Sequence, residues 1–254
     1  MLELSYPSIL LVLTILGFAG FVHGTLGVGF PLTATPLLAL FMDVQTAILI
    51  TLFPNIVVNI LSIIKGGNWS QSIGRYWPLA IYASIGSMIG TEILITAPPE
   101  PFKLLLAILI IIYLNTSRLS RIKLDWIGTQ RHFSMAVFGL VAGLMGGTTN
   151  VMLPILVIFA LELGLATTVM IQVFNLCFMM GKITQVGVFS LEGLLDVGLL
   201  FATIPAVIVS AVILLIGMRL RDRIKTETYR RFLNYLLVIT SVILIMQFTN
   251  SLTI

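Results

Sequence analysis

Charge is scarce in this chain. Of its 254 residues 14 are Lys or Arg and 10 are Asp or Glu, 9% in all, where a globular protein carries about 25%. So few charges cannot clothe a water-soluble domain. Cysteine is scarcer still: Cys177 stands alone, which excludes an intrachain disulfide. The two histidines, His23 and His132, lie far apart, and neither H-E-x-x-H nor G-x-S-x-G occurs. Paired intramembrane aspartates and a Cys/His cluster are missing too. These absences argue against an enzyme, and no metal or other cofactor is expected.

What remains is apolar. Hydrophobic residues make up 58% of the chain and mean hydropathy is +1.11. Runs approaching the roughly 20 residues needed to cross a bilayer recur from end to end, the pattern of an all-α polytopic membrane protein. The net charge of +4 is then a topology signal and not a nucleic-acid footprint; the expected surroundings are the lipid bilayer. Glu3 stands where a signal peptide would carry Lys or Arg, which argues against a cleaved leader.

Two stretches interrupt the apolar runs. The first is Gly20-Phe21-Val22-His23-Gly24-Thr25-Leu26-Gly27-Val28-Gly29-Phe30-Pro31; the second, 123 residues on, is Gly143-Leu144-Met145-Gly146-Gly147-Thr148-Thr149-Asn150-Val151-Met152-Leu153-Pro154. Aligned without gaps, Gly20, Gly24, Thr25, Val28 and Pro31 meet Gly143, Gly147, Thr148, Val151 and Pro154. Irregular backbone survives at membrane depth only where it is buried in protein or lines a wet cavity.

The pattern predicts helical segments over 7–23, 31–42, 45–64, 76–96, 101–116, 133–146, 151–163, 166–188, 194–218 and 229–249. Segments 7–23, 31–42, 133–146 and 151–163 read as too short to cross alone. Each pair flanking a glycine break is therefore either one kinked span or a re-entrant hairpin. With hairpins, 12 of the 14 Lys and Arg residues fall on one side: Lys65, Arg75, Arg118, Arg121, Lys123, Arg131, Arg219, Arg221, Arg223, Lys225, Arg230 and Arg231. With single crossings they divide six against six. Cytoplasmic loops concentrate Lys and Arg, so the hairpins are preferred; two short full crossings per pair give the same parity.

The expected architecture is two inverted repeats, each a broken or re-entrant helical hairpin plus three transmembrane helices. Residues 1–116 form the first repeat (hairpin 7–42, spans 45–64, 76–96 and 101–116), 117–131 a basic cytoplasmic linker, and 132–254 the second repeat (hairpin 133–163, spans 166–188, 194–218 and 229–249). Asn55 aligns with Asn175, Pro78 with Pro205, Gly90 with Gly217, and Phe102 and Phe232 open the last spans. Both termini fall outside, and the two tips can meet near the midplane. Inverted repeats with broken helices around a central site are a plan of secondary transporters.

At these motifs, G-F-V-H-G-T-L-G-V-G-F-x-x-x-A-T-P-L-L ending at Leu38 and G-x-V-A-G-L-M-G-G-T-T-N-V-x-L-P, the chain resembles the TauE/SafE sulfite-exporter family, also called the toluene-sulfonate uptake permease family. The resemblance covers essentially the whole chain. It implies a secondary carrier of sulfite, organosulfonates such as sulfoacetate, or related sulfur anions such as thiosulfate, coupled to a proton or sodium gradient, in a bacterial or archaeal cytoplasmic membrane. The chain departs from the family pattern at Asn150 and Met152, where Gly27 and Gly29 stand in the first tip, and at His23.

The residues themselves nominate a site. Helix N-termini after Pro31 and Pro154 would direct free amides at a central anion. Gly24, Gly27, Gly29 and Gly147 would allow close approach, and Thr25, Thr148, Thr149 and Asn150 would offer donors; the alternative for the glycines is helix packing. Thr51, Asn55, Asn59 and Ser62 share one helical face, and Gln172, Asn175, Lys182 and Gln185 make a comparable stripe. Such polar groups line a substrate path or join helices. Lys182 either attracts the anion or snorkels to the interface, and His23 either binds substrate, carries a coupling proton or bonds a carbonyl as a neutral ring. Asp43, Glu92 and Glu162 read as helix-end groups, Cys177 as a small buried residue, His132 as part of the basic loop, and the Arg219–Arg231 cluster as a topology and lipid-headgroup contact. An anion channel and a membrane scaffold are the competing readings; either a monomer or a homodimer fits.

Overall fold

The computed structural model describes residues 6–67, 69–116, 126–195, 197–221, 223 and 226–251. Part of the expected linker (117–125), Arg118, Arg121, Lys123, Asp196, Lys225 and the side chain of Arg230 lie outside the described residues. Every regular element among the described residues is helical: α1 (Tyr6–Leu26), α2 (Phe30–Ala39), α3 (Val44–Gly66), α4 (Ile73–Thr96), α5 (Glu100–Leu114), α6 (Trp126–Thr129), α7 (Arg131–Thr149), α8 (Leu153–Glu162), α9 (Thr167–Leu191), α10 (Val197–Leu220) and α11 (Thr226–Ser251).

Seven of these, α1, α3, α4, α7, α9, α10 and α11, are long and apolar enough to cross a membrane. Two expected lengths change. Segments 7–23 and 133–146 were too short to span, yet α1 runs 21 residues and α7 runs 19. The reason is local: Gly24, Thr25, Gly147 and Thr148 continue the helix, and each break narrows to three residues. Segment 101–116, expected as a span, becomes the 15-residue α5, shorter than the roughly 20 residues of a full crossing. Its last turn closes on Asn115, whose side chain bonds Ile111 O at 2.9 Å.

In each hairpin a ten-residue helix folds back along the longer one. Val12, Ile15, Leu16 and Ala19 of α1 share a core with Phe30, Ala34 and Leu38 of α2. Phe138 of α7 meets Phe159 of α8 with ring centroids 5.5 Å apart. Between α2 and α3, Asp43 caps α3 by accepting from Thr46 N at 2.8 Å and from its hydroxyl at 2.6 Å, the helix-end role its position suggested.

Packing between the halves is reciprocal. α1 lies against α10 as α7 lies against α4; α3 faces α9, and α5 faces α11. The first two contacts are glycine seams, in which small residues let backbones touch. A Cβ on Gly24 would stand 2.3 Å from Leu214 O, and one on Gly143 2.0 Å from Ala83 O. Gly86, Gly90 and Gly147 are as tightly placed in the α4–α7 seam. Dispersion between close-packed backbones is what associates helices in lipid, since apolar burial adds little there.

Gly143→Ala should therefore lower stability by about 1–3 kcal/mol through overpacking. Gly187→Ala on α9, where an added Cβ meets nothing within 4 Å, should hold or raise it by helix propensity. Thermal unfolding in detergent compares the two, and equal transitions would refute the seam.

Candidate functional site

The site is built around the two breaks. Each begins where a long helix is stopped by a left-handed residue. Gly27 (φ +82°) ends α1 and Asn150 (φ +66°) ends α7, and each amide bonds back four residues, Gly27 N to His23 O at 2.7 Å and Asn150 N to Gly146 O at 2.9 Å. Asparagine is the residue after glycine that best tolerates this conformation. The departure from glycine at Asn150 thus keeps the same turn. On the far side of the breaks, Thr33 N bonds Gly29 O and Leu156 N bonds Met152 O, starting α2 and α8 with proline in the first turn.

Asparagines of the opposite half hold both breaks. Asn175 on α9 donates to Gly27 O at 2.9 Å and to Ile171 O at 2.7 Å. Asn55 on α3 donates to Asn150 Oδ1 at 3.4 Å, and Asn150 donates to Thr35 Oγ1 at 2.7 Å and Thr51 Oγ1 at 3.1 Å. Asn59 donates to Asn55 O at 2.7 Å and Oδ1 at 2.6 Å, while its own Oδ1 is buried without a partner. The four asparagines and both threonines are buried.

His23 joins the first break to α3 and α9. Phe30 N–H donates to its Nδ1 at 3.3 Å; Ser62, whose own proton goes to Val58 O at 2.9 Å, and Asn175 Oδ1 both stand 3.0 Å from Nε2. The ring proton accordingly sits on Nε2, because Nδ1 is an acceptor. The imidazole thereby ties the end of α1 to the start of α2.

Lys182 does not reach the interface: it is 2% exposed. Its ammonium donates to Gln185 Oε1, and Gln185 Nε2 donates to Gly147 O at 3.1 Å. No carboxylate takes part in any of these bonds, so among the described residues this set holds neutral amides and hydroxyls, an imidazole and the Lys182 amino group. Such a set can accept an anion without first displacing an internal one.

The remaining expected site residues are placed differently. Thr25, Thr148 and Thr149 donate their hydroxyls to carbonyls of their own helices, at 2.7–3.2 Å, because they are helical and not loop residues. Gly24 and Gly147 lie in the helix seams. Gln172 stands toward the end of α3, donating to Ile63 O at 3.2 Å with Oε1 unpartnered. Two participants escaped the sequence pattern. Thr35 in α2 falls inside the first motif, at its A-T-P step, where nothing marks it as a bonding partner, and Ser87 donates to Gly181 O at 3.0 Å across the α4–α9 contact.

Residues 12–244 match the family described as sulfite exporter TauE/SafE. The chain belongs to that family. It is a membrane transporter of the sulfite-exporter type, as the motif resemblance implied, and the match takes in both breaks and every residue of the central network. No curated protein and no solved structure matches the chain.

Within this TauE/SafE chain the two breaks have exchanged bulk. By the same alignment His23 corresponds to Gly146 and Gly29 to Met152. Met152 lies over Gly146, where an added Cβ would be 2.3 Å from its Cε. One break thus carries its large side chain before the turn and the other after it. Gly146→Ala should destabilise by about 1–3 kcal/mol, and Met152→Ala in the same chain should recover part of that loss. A double-mutant cycle should show coupling of about 1 kcal/mol; strict additivity would sever the pair.

Proposed function

We propose that this protein is a secondary active transporter of a small sulfur-containing oxyanion, such as sulfite, an organosulfonate like sulfoacetate, or thiosulfate. It works by alternating access around the two breaks in a cytoplasmic membrane. Membership of the TauE/SafE family carries the reading. The central chemistry supports it: buried amides from Asn55, Asn59, Asn150 and Asn175, a buried ammonium at Lys182, and no carboxylate bonded among them.

The reciprocal contacts of α1 with α10 and α7 with α4 support an inverted repeat. In such a pair, rocking one half against the other exposes the centre to alternate sides. The asparagine bonds run between halves, so substrate that displaces Asn55 or Asn175 from a break loosens the contact that rocking must change. His23 is the group through which a coupling proton acts: a second proton on Nδ1 would displace Phe30 N–H and free the start of α2. Lys65, Arg75, Arg131, Arg219, Arg221, Arg223 and Arg231, at one end of the bundle by the topology, mark the cytoplasmic side, which leaves both termini outside.

The test is a thermal-shift series on purified protein with sulfite, sulfate, thiosulfate, sulfoacetate, taurine and matched carboxylates, since a ligand of the folded state raises its transition. One sulfur anion should stabilise the wild type, with affinity for Lys182→Met weaker by about tenfold. Equal effects of carboxylates would remove the sulfur assignment. Proteoliposome counterflow separates the carrier from an anion channel: labelled anion should accumulate transiently against internal unlabelled anion, which a channel does not produce.

A further inference from the structure

A second concentration of positive charge lies outside the central network. At the basic end, a cavity of about 470 Å³ opens between the starts of α4 and α7 and the turn from α8 to α9. That volume is in the range of small-ligand clefts, roughly 300–1,000 Å³. Gln71 and Arg75 lie exposed at its rim, and Arg131 and the Leu163–Ala166 turn complete its wall. None of its lining residues belongs to the network around the breaks.

Two features of the wall ask for an anion. The Arg131 guanidinium is fixed over the Tyr76 ring, 4.7 Å from its centroid, with Tyr76 held edge-on by Phe159. One nitrogen of that guanidinium, Nη2, is buried with no acceptor. A buried donor left unsatisfied is unfavourable, and a guanidinium fork fits the oxygens of phosphate, sulfate or sulfonate. The second feature is the start of α9. Ala166 has the extended backbone of an N-cap (φ −61°, ψ 142°) but no side chain to cap with. The first amides of α9 are therefore left without a side-chain cap, and Ala166 and Val169 of this turn line the cavity with the arginines.

We propose that this cavity is a second oxyanion site, held by Arg75, Arg131 and the first amides of α9, and distinct from the central one. Its ligand is a tetrahedral oxyanion group, either a free ion or the phosphate of an anionic lipid. It joins the start of α4, the start of α7 and the hinge between α8 and α9, and so bridges the second hairpin to the helix that carries Asn175. It stands independently of the transport reading, because it rests on the cavity, its arginines and the start of α9, and on nothing in the central network.

The experiment measures binding to the full chain at constant ionic strength. Sodium sulfate and sodium phosphate are titrated in detergent by thermal shift. In parallel, lipid retention is read by native mass spectrometry from nanodiscs of phosphatidylglycerol or phosphatidylcholine. The variants are Arg75→Gln, Arg131→Gln and Ala166→Asp. The aspartate supplies the missing N-cap and should not weaken the fold, yet it puts a carboxylate where the anion would sit. It therefore separates loss of binding from loss of structure if Arg131→Gln fails to fold. A free-ion site predicts a sulfate or phosphate shift that weakens about tenfold in Arg75→Gln and Ala166→Asp and persists in Lys182→Met. A headgroup site predicts no such shift but phosphatidylglycerol retention that the same variants lose. If neither free anion nor anionic lipid distinguishes these variants from wild type, the proposal is overturned. Failure of the central site would instead show in Lys182→Met with this cavity's binding intact.

Discussion

An apolar surrounding does not forgive an unpaired peptide group. Every feature of this protein's centre follows from two places where a helix stops inside the bundle. An unsatisfied amide or carbonyl in hydrocarbon is several kcal/mol unfavourable, so a three-residue break must be supplied with partners from elsewhere. Here Asn175 donates to the peptide carbonyl Gly27 O, and Asn55, Thr35 and Thr51 bond the side-chain amide of Asn150, the residue that ends α7. The supply crosses between halves, which makes each break depend on the half to which it does not belong. Polar chemistry at the centre and adhesion between the halves are thus the same set of bonds.

The seams complement this arrangement. Glycine contacts of α1 with α10 and of α4 with α7 fix the long arms of both hairpins against helices of the opposite half. Each break is then presented at a fixed depth to α3 or α9. Close-packed seams outside and buried hydrogen bonds inside divide the labour: dispersion sets position, and side-chain amides satisfy the breaks.

Much of this was legible in the amino-acid order. The duplicated glycine motif located both breaks, and the spacing of Thr51, Asn55, Asn59 and Ser62 identified a face that is buried and bonded as one strip. The family followed from the same motifs. What could not be read was how far helix continues into a glycine-rich segment. Propensity disfavours Gly24, Thr25 and Gly147 in a helix, yet the seams bury them there, and tertiary packing overrides the local preference. Threonine hydroxyls that a loop would have turned toward substrate are consequently spent on the preceding turn. Lys182 was ambiguous because helix position alone does not say whether a side chain runs outward along lipid or inward to Gln185. The cavity at Arg131 lies between elements distant in sequence, and no local pattern announces it.

The exchange of bulk between the breaks bears on how one arrangement could be converted into the other. His23 with Gly29, and Gly146 with Met152, are the two arrangements of one large and one absent side chain at aligned positions, and in the second Met152 occupies the space over Gly146. Moving between them one substitution at a time leads either through a crowded intermediate with both large side chains or through a hollow one with neither. Backbone and neighbours yield little to crowding here, whereas a void among polar groups can admit water. The permissive order for such an exchange is therefore removal before addition, with glycine at both positions as the intermediate.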